Sequence, residues 1–202
     1  MPEGHDLPSV GRPRNRTVDR ALLDAAARLI AQCGYGALTL QAVADEAATS
    51  RPALYRRYAD RAELVVAVLI DRYGLHPGSA DLGGIEAELF AIQRHQMELF
   101  TDDVLGNALP GLLDDLSRNE ALAASFYERF LRPRRRSTAS ILDRAVARGE
   151  IAPGTDPEWI CDLITGPMLM RALFPAVGPI DECLVRLTVR SALDAVGFSG
   201  RD

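Results

Sequence analysis

Three arginines and two tyrosines stand within the eight residues from position 51 to position 58, the stretch best suited to chemistry. They are Arg51, Tyr55, Arg56, Arg57 and Tyr58. Arginine donates paired hydrogen bonds to guanine edges and to phosphates, and short helices that carry such side chains bind in the DNA major groove. The pattern therefore predicts a DNA-contacting helix. The sequence contains no nucleophile–base pair, metal-ligand cluster or phosphate-binding loop that would predict an enzyme, a metal or a cofactor.

The expected roles of these side chains follow from their positions around the short helix. The residues expected to reach base edges are Arg51, Pro52, Ala53 and Arg56, the arginines through guanine and the other two through thymine methyl groups. The residues expected to bind phosphates are Tyr55, Arg57 and Arg61. Leu54 and Tyr58 are interpreted as core. A solvated surface charge is the alternative for any single arginine, and the clustering favours the DNA role.

Two short helices joined by a tight turn must position these side chains. Thr39 is expected to cap the first helix and Ser50 the second, since hydroxyl side chains accept hydrogen bonds from the free N–H groups there. Helix starts also attract anions, so Thr39, Thr49 and Ser50 join the set expected to contact DNA. Ala48 and Thr49 form the turn, which costs about 1 kcal/mol if the φ of Ala48 is positive. Residues 60–63 predict a capping box for the next helix.

Residues 1–16 are expected to form a flexible basic arm. Prolines, glycines and scattered charges fill this segment, and a Gly-Arg-Pro-Arg run that ends at Arg14 is followed by Arg16. Arms of this composition enter narrow minor grooves. We therefore expect Arg14 and Arg16 to contact DNA, with a solvated tail as the alternative.

Charge is divided unevenly along the chain. The net charge is −5 over 202 residues, yet residues 12–61 hold nine arginines against five acidic residues, whereas residues 62–202 hold 14 arginines against 21. A basic head on an acidic body favours a DNA-contacting part joined to an effector-binding part. The sequence has neither a bilayer-length apolar run nor a signal-peptide core, so we expect a cytoplasmic protein without a membrane partner.

Apolar residues recur at helical spacing throughout the sequence, and we predict an all-α fold. It comprises the arm, a three-helix helix-turn-helix domain at 17–60, and a ligand-binding and dimerisation domain of about six helices at 61–202. The predicted helices lie at about 17–33, twice between 39 and 58, and then at 60–73, 81–100, 103–117, 119–148, 157–174 and 180–196. Pro110 and Gly111 are expected to weaken one helix and Pro133 to interrupt another. The three cysteines are expected to be buried.

Residues 39–64 resemble the DNA-binding domain of the TetR family of repressors. The positions that carry the resemblance are Thr39, Val43, Ala44, Ala47, Ser50, Leu54, Tyr55, Tyr58, Asp60, Arg61 and Leu64. Ala48 and Thr49 replace the family's usual Gly-Val turn, and Pro52 replaces a common Gly. The helix before the motif also fits, so the resemblance covers residues 17–64.

The remainder of the chain resembles one branch of the same family more coarsely, over residues 126–136, 141–150, 156–159 and 166–167. The resemblance implies a homodimer formed through the last two helices and a small effector bound in the body. Those helices are apolar over much of their circumference, which also indicates burial or an interface. The residues expected at the dimer interface are Leu163, Leu169, Leu173, Leu184, Leu187 and Leu193.

Large, adaptable side chains between residues 81 and 174 are expected to line an apolar effector pocket. They are Met97, Phe100, Leu112, Leu116, Phe126, Phe130, Trp159, Met168 and Met170. Ordinary bundle core is the alternative for each of them. The arginines at position 132 and at positions 134–136 are interpreted as partners of nearby acidic residues rather than as a second nucleic-acid patch.

Together these features predict a TetR-like homodimeric repressor that binds a pseudo-palindromic double-stranded operator and is released by a small, largely apolar effector. Two alternatives stay open. One is a ligand-independent DNA-binding regulator or activator. The other is a helical ligand-binding protein or enzyme with a vestigial DNA-binding head.

Overall fold

The computed structural model describes residues 16–74 and 81–199 of the 202-residue chain. These two ranges form ten α-helices and contain no β-strand, which confirms the predicted all-α fold. The helices are α1 (Arg16–Ala37), α2 (Leu40–Glu46), α3 (Arg51–Tyr55), α4 (Arg61–Tyr73), α5 (Ile85–Thr101), α6 (Asp103–Arg118), α7 (Glu120–Phe126), α8 (Arg132–Ala147), α9 (Pro157–Leu173) and α10 (Glu182–Ala195).

A π-helical turn (Tyr127–Leu131) joins α7 to α8, so a single helical segment occupies the range predicted at 119–148. The expected interruption at Pro133 is wrong, because the helix continues through it. Proline has no N–H for the carbonyl four residues earlier and its ring clashes with that carbonyl. The turn just before it uses the wider π pattern instead, in which the N–H of Arg132 bonds to the carbonyl of Tyr127. This local widening accommodates the proline without ending the helix.

Two apolar cores hold the helices together. The first joins α1–α4 to α6, α7 and the π-helical turn, and it contains the fully buried Leu22, Leu54 and Leu64. The second joins α5, α8, α9 and α10 around Ile92, Ile141 and residues of similar size. Each fully buried side chain of this kind contributes about 1.5–3 kcal/mol of transfer free energy. Because the first core continues from α3 into α4, the domain boundary at residues 60 and 61 stays a prediction.

A close contact between α1 and α6 fixes the head against the body. The ring of Tyr35 is buried, and a Cβ added to Gly111 would lie 2.3 Å from the Cδ1 atom of that ring. Only glycine therefore fits at position 111, and α6 continues unbroken past Pro110, contrary to the expected weakening. The Tyr35 hydroxyl donates to Asp115, and the amide of Asn107 donates to the Ala31 carbonyl over 3.0 Å. Burial and the neighbouring carboxylate raise the pKa of Tyr35, so the hydroxyl stays a donor.

Two further expectations concern the burial of the cysteines and the absence of a membrane-spanning segment. Cys161 is buried as expected, but Cys33 and Cys183 are exposed. Cys33 stands beside the break at Gly34, where α1 leaves helical geometry, and Cys183 stands in the first turn of α10 on its outer side. Within the described residues, every helix is too short or too polar to cross a membrane.

Candidate nucleic-acid interface

Side-chain caps define the start of each short helix that surrounds α3. The Thr39 hydroxyl accepts from the Ala42 N–H over 3.1 Å, and the Ser50 hydroxyl accepts from the Ala53 N–H over 3.4 Å. Both caps were predicted from the sequence. Asp60 accepts from the Glu63 N–H, as in the predicted capping box, while the Glu63 carboxylate binds the N–H of Ala59. These caps fix where α2, α3 and α4 begin and hence which side chains point outward.

The outward face of α3, formed by Arg51, Pro52, Tyr55 and Arg56, is exposed to solvent. Tyr55 is 55% exposed, whereas Leu54 is fully buried and Tyr58 packs partly buried against the first core. The predicted core role of Leu54 and Tyr58 is therefore confirmed. No ion pair joins Arg51 or Arg56 to an acidic residue in the part of the chain that the structure describes. Their guanidinium groups therefore remain available to an outside partner.

The turn between α2 and α3 carries the strain expected from its sequence. Ala48 has a φ of 48°, the one positive φ of a non-glycine residue among the described positions. The Thr49 N–H closes the turn by bonding to the Ala44 carbonyl over 2.9 Å. The left-handed region costs a residue with a Cβ about 1–2 kcal/mol. The chain therefore holds α3 at this angle at the expense of local stability.

Residues 51–58 are called the recognition segment, and Arg57 differs from its other arginines because the Arg57 side chain is only 17% exposed. Its guanidinium forms an ion pair with Asp19 of α1, and it donates to the Ala53 carbonyl over 2.7 Å. These contacts tie α3 to α1. The predicted phosphate contact of Arg57 stays a prediction, and both observed partners are within the chain.

Arg61 has a similar internal position at the start of α4. Its guanidinium lies 4.3 Å from the centroid of the Tyr35 ring and donates to the Tyr35 carbonyl over 3.3 Å. Asp115 of α6 lies 3.8 Å from it. About a third of the side chain is exposed. The residue thus belongs to the joint between α1, α4 and α6 and also borders the exposed face of α3.

Four of the predicted DNA-contacting residues line one open groove of about 410 Å³. They are Thr39, Arg51, Tyr55 and Arg61. The groove lies where the starts of α2 and α4 meet α3, so it combines free helix-start N–H groups with arginine donors, both of which attract phosphates. Of the other predicted contacts, Arg16 is exposed, Ala53 and Thr49 are half-buried, and Arg14 lies outside the described residues.

Two family profiles match the chain, one over each half. The profile described as bacterial regulatory proteins, tetR family, covers residues 22–68. The profile described as tetracyclin repressor-like, C-terminal domain, covers residues 79–192. The chain belongs to the TetR family. It is accordingly a DNA-binding transcriptional regulator, and the first profile contains α2 and α3 in full.

Relatives and solved structures of the TetR family agree with this assignment. An uncharacterized HTH-type transcriptional regulator of Mycobacterium bovis is 30% identical over 191 residues, which cover 94% of this chain and 88% of the relative. The DNA-binding transcriptional repressor TetR of Mycobacteroides abscessus is 26% identical over 185 residues, 89% of this chain and 94% of the relative. The crystal structure of the TetR family transcription regulator SCO0332 has a TM-score of 0.72 at 26% identity and covers 89% of this chain and 98% of that one.

The side chains predicted to line the effector pocket of this TetR-family body divide between the two cores and the surface. Leu112, Phe126 and Phe130 lie in the first core, and Met168 lies in the second. Met97, Phe100 and Leu116 are half-buried, whereas Trp159 is 58% exposed and Met170 is 49% exposed. Trp159 and Met170 are therefore corrected to surface residues. The sequence could not separate inner from outer positions on α9, because that helix is apolar on several sides.

Two of the six residues predicted at the dimer interface need correction, and the other four stay a prediction. Leu184 and Leu193 face inward and belong to the second core of the protomer, while Leu163, Leu169 and Leu173 are half-buried. Leu187 alone among the six is freely exposed, at 54%. On α9 and the segment just after it, large apolar residues that were not predicted at the interface are exposed, namely Trp159, Met170, Phe174 and Val177. Spacing along α10 could not separate them, since Leu187 stands three residues after Leu184 and residues three apart share one face of a helix.

The arginines at position 132 and at positions 134–136, at the start of α8, differ in their surroundings. Arg132 pairs with Glu128, and Arg135 pairs with Glu158 and Asp162, which confirms the predicted pairing with nearby acids for these two. The carboxylates raise the pKa of Arg135. Arg136 is exposed. Arg134 differs from all of them because it is buried and forms no ion pair with the described residues.

Proposed function

We propose that this TetR-family regulator is a homodimeric, cytoplasmic repressor of a pseudo-palindromic operator, released by a small, largely apolar effector. The observation that carries the proposal is the outward face of α3. Arg51 and Arg56 stand there exposed and without carboxylate partners in the described chain. Both have the donor geometry for guanine, Pro52 offers an apolar contact for a thymine methyl group, and Tyr55 has a hydroxyl for a phosphate.

An exposed apolar surface on the C-terminal helices supports the dimer. Trp159 and Met170 of α9, Phe174 and Val177 just after it, and Leu187 of α10 are each about half exposed. Monomeric proteins seldom expose several large apolar side chains on neighbouring elements, and such surfaces mark interfaces. A twofold axis through this surface would present two copies of α3, which matches an operator with two related half-sites.

A relative in the family and the thermodynamic linkage between effector and operator binding support the effector and the repressor role. A relative of 26% identity is named a transcriptional repressor. An effector that binds the DNA-free conformation better must weaken operator binding, and the operator must weaken effector binding by the same factor. The stacked rings of Phe126 and Phe130, with centroids 5.0 Å apart, offer an apolar wall in the body.

Operator binding by two paired variants tests the assignment of α3. A duplex selected in vitro with the purified protein serves as the probe, and fluorescence anisotropy gives the Kd. Replacing Tyr55 and Arg56 by alanine should weaken binding about 100-fold, since each lost contact costs about 1–3 kcal/mol.

The matched control replaces Tyr127 and Arg136, an exposed tyrosine and an exposed arginine of the body, by alanine. That variant should keep its Kd within about twofold, because both residues lie outside the head and contribute only long-range charge. Equal losses in the two variants, or no loss in either, would remove α3 as the operator-contacting element.

The packing of the body favours a second candidate, a DNA-binding regulator without an effector. Leu112, in the first core, and Met168, in the second, are fully buried. The two candidates differ in one measurement: a repressor of the first kind loses its operator when a bound effector is added, whereas a ligand-independent regulator keeps it.

A further inference from the structure

Arg134 is a buried cation for which the structure supplies no opposite charge. The residue is 9% exposed, and no ion pair with the described residues includes it. Its two terminal nitrogens donate to main-chain carbonyls, to Phe130 over 2.7 Å and to Tyr73 over 2.5 Å. Its Nε atom is buried and has no hydrogen-bond partner among the residues that the structure describes. Buried arginines are normally paired with acids, because an uncompensated charge is costly away from water.

The surroundings of Arg134 are apolar on one side and helical main chain on the other. The guanidinium carbon lies 3.7 Å from the centroid of the Phe130 ring, which itself stacks on Phe126. Burial lowers the pKa of Arg134 to about 10, so the group is still charged at neutral pH. Burial, together with the charge of Arg134, also lowers the pKa of nearby His95, which therefore adds no second cation at neutral pH.

Arg134 connects the π-helical turn to the end of α4 through its two hydrogen bonds. Phe130 belongs to the π-helical turn, and such turns occur often at functional sites. Tyr73 is the last residue of α4, the helix that starts at Arg61 beside the DNA-facing groove. The same turn and α4 also line a cleft of about 470 Å³, with Ala67, Ile70 and Arg129 among its residues, so they are not packed together along their full lengths.

We propose that Arg134 anchors the carboxylate of an effector that is an organic acid with an apolar body. The free Nε–H and the adjacent terminal N–H form the fork that binds a carboxylate through two parallel hydrogen bonds. The apolar part of the ligand would lie along the Phe126–Phe130 stack. This inference deepens the effector role proposed above, and it rests on that proposal only for its consequence at the operator.

Carboxylate binding would change the end of α4. A two-point contact draws the guanidinium toward the ligand and weakens its bond to the Tyr73 carbonyl, which then loses its partner at the end of the helix. Because α4 begins in the joint with Tyr35 and Asp115, a shift of α4 changes the position of the head. The site thereby connects a change of charge in the body to the DNA-facing surface.

Ligand binding to the full-length protein tests the proposal. Isothermal titration calorimetry compares octanoate, dodecanoate and 4-phenylbutyrate, each with its primary amide, and inorganic phosphate alone. At least one carboxylate should bind about tenfold more tightly than its amide, as expected for a charge-assisted pair of hydrogen bonds. The Arg134→Gln variant should lose this preference, and the Arg136→Gln variant, which changes an exposed arginine of the same helix, should retain it.

Three results would overturn the assignment. They are equal affinity of every acid and its amide for the unaltered protein, a preserved preference in Arg134→Gln, and phosphate binding as tight as that of any carboxylate. The first and third use the unaltered protein, so they decide the question even if Arg134→Gln fails to fold. Operator binding of the unaltered protein without acid is measured separately, so that a failure of the repressor role is distinguished from a failure of the acid site.

Discussion

The recognition segment and the start of α8 are both rich in arginine, but they use it in opposite ways. Around α3, Arg51 and Arg56 point into solvent without a described carboxylate partner. Around α8, Arg132 and Arg135 are held by Glu128, Glu158 and Asp162, and Arg134 is buried. Composition alone would assign the same role to both segments. Their neighbours distinguish them, because α9 brings Glu158 and Asp162 to α8, whereas no described residue forms an ion pair with Arg51 or Arg56.

Arg57 is the exception that shows how local this difference is. It belongs to the recognition segment, yet it behaves like an arginine of α8, since Asp19 and the Ala53 carbonyl occupy its guanidinium. A helix of five residues cannot turn every side chain outward. One side must attach α3 to α1, and Arg57 stands on that side.

Removing two arginines from one segment or from the other should give the largest difference in operator affinity. Replacing Arg51 and Arg56 by alanine is expected to weaken operator binding about 100-fold or more, because two base contacts of about 1–3 kcal/mol each are removed. Replacing Arg132 and Arg136 by alanine removes the same charge and should change the Kd by about twofold at most. Anisotropy titrations at one salt concentration measure both. Similar losses would mean that net charge, and not the position of α3, determines operator affinity.

The variant Arg57→Ala should mainly affect stability. It leaves the half-buried Asp19 carboxylate without its partner, and we expect the free energy of unfolding to fall by about 1–2 kcal/mol in urea titrations. The slope of log Kd against log salt should stay unchanged, since no phosphate contact is lost. The Asp19→Asn variant is the control for loss of the pair. A slope reduced by about one with unchanged stability would instead establish the phosphate role predicted from the sequence.

The smallest effect is expected at the turn that orients α3. Ala48→Gly should raise the free energy of unfolding by about 0.5–1 kcal/mol, because glycine adopts a positive φ without the Cβ penalty but has more entropy to lose on folding. Thermal or urea unfolding measures the change. The Ala47→Gly variant serves as the control, since Ala47 has a φ of −82° and should only lose stability. Destabilisation by Ala48→Gly would show that the turn is not strained.

The structure of the recognition segment and of the short helices around it was predictable, because the sequence signals for it are local. Thr39, Ser50 and Asp60 cap helices that begin next to them in sequence, and the buried Leu54 follows from helical spacing. The body was predictable only as a set of helices. On α9, apolar residues occupy both the inner and the outer side, so Trp159 and Met168 have similar sequence surroundings and opposite exposures. Which side is buried depends on partners distant in sequence, such as α5 and α10.

Contacts between residues that are distant in sequence could not be predicted for the same reason. Gly111 next to Pro110 predicts a weak point in a helix when it is taken alone, and it becomes a packing requirement only when Tyr35 is known to lie against it. Arg134 is similar, since nothing in a run of arginines marks the one that will face the Tyr73 carbonyl. Both residues gain their roles from the arrangement of helices rather than from their immediate neighbours.

The contact of Tyr35 with Gly111 has a mechanical consequence. The ring lies so close to α6 that no side chain fits between them, and the bond to Asp115 and the stacking of Arg61 hold the ring on two further sides. A joint of this kind transmits rotation instead of absorbing it. A tilt of α6 would therefore move α1 and the short helices packed on it, and the distance between this contact and α3 would determine how far Arg51 and Arg56 are displaced.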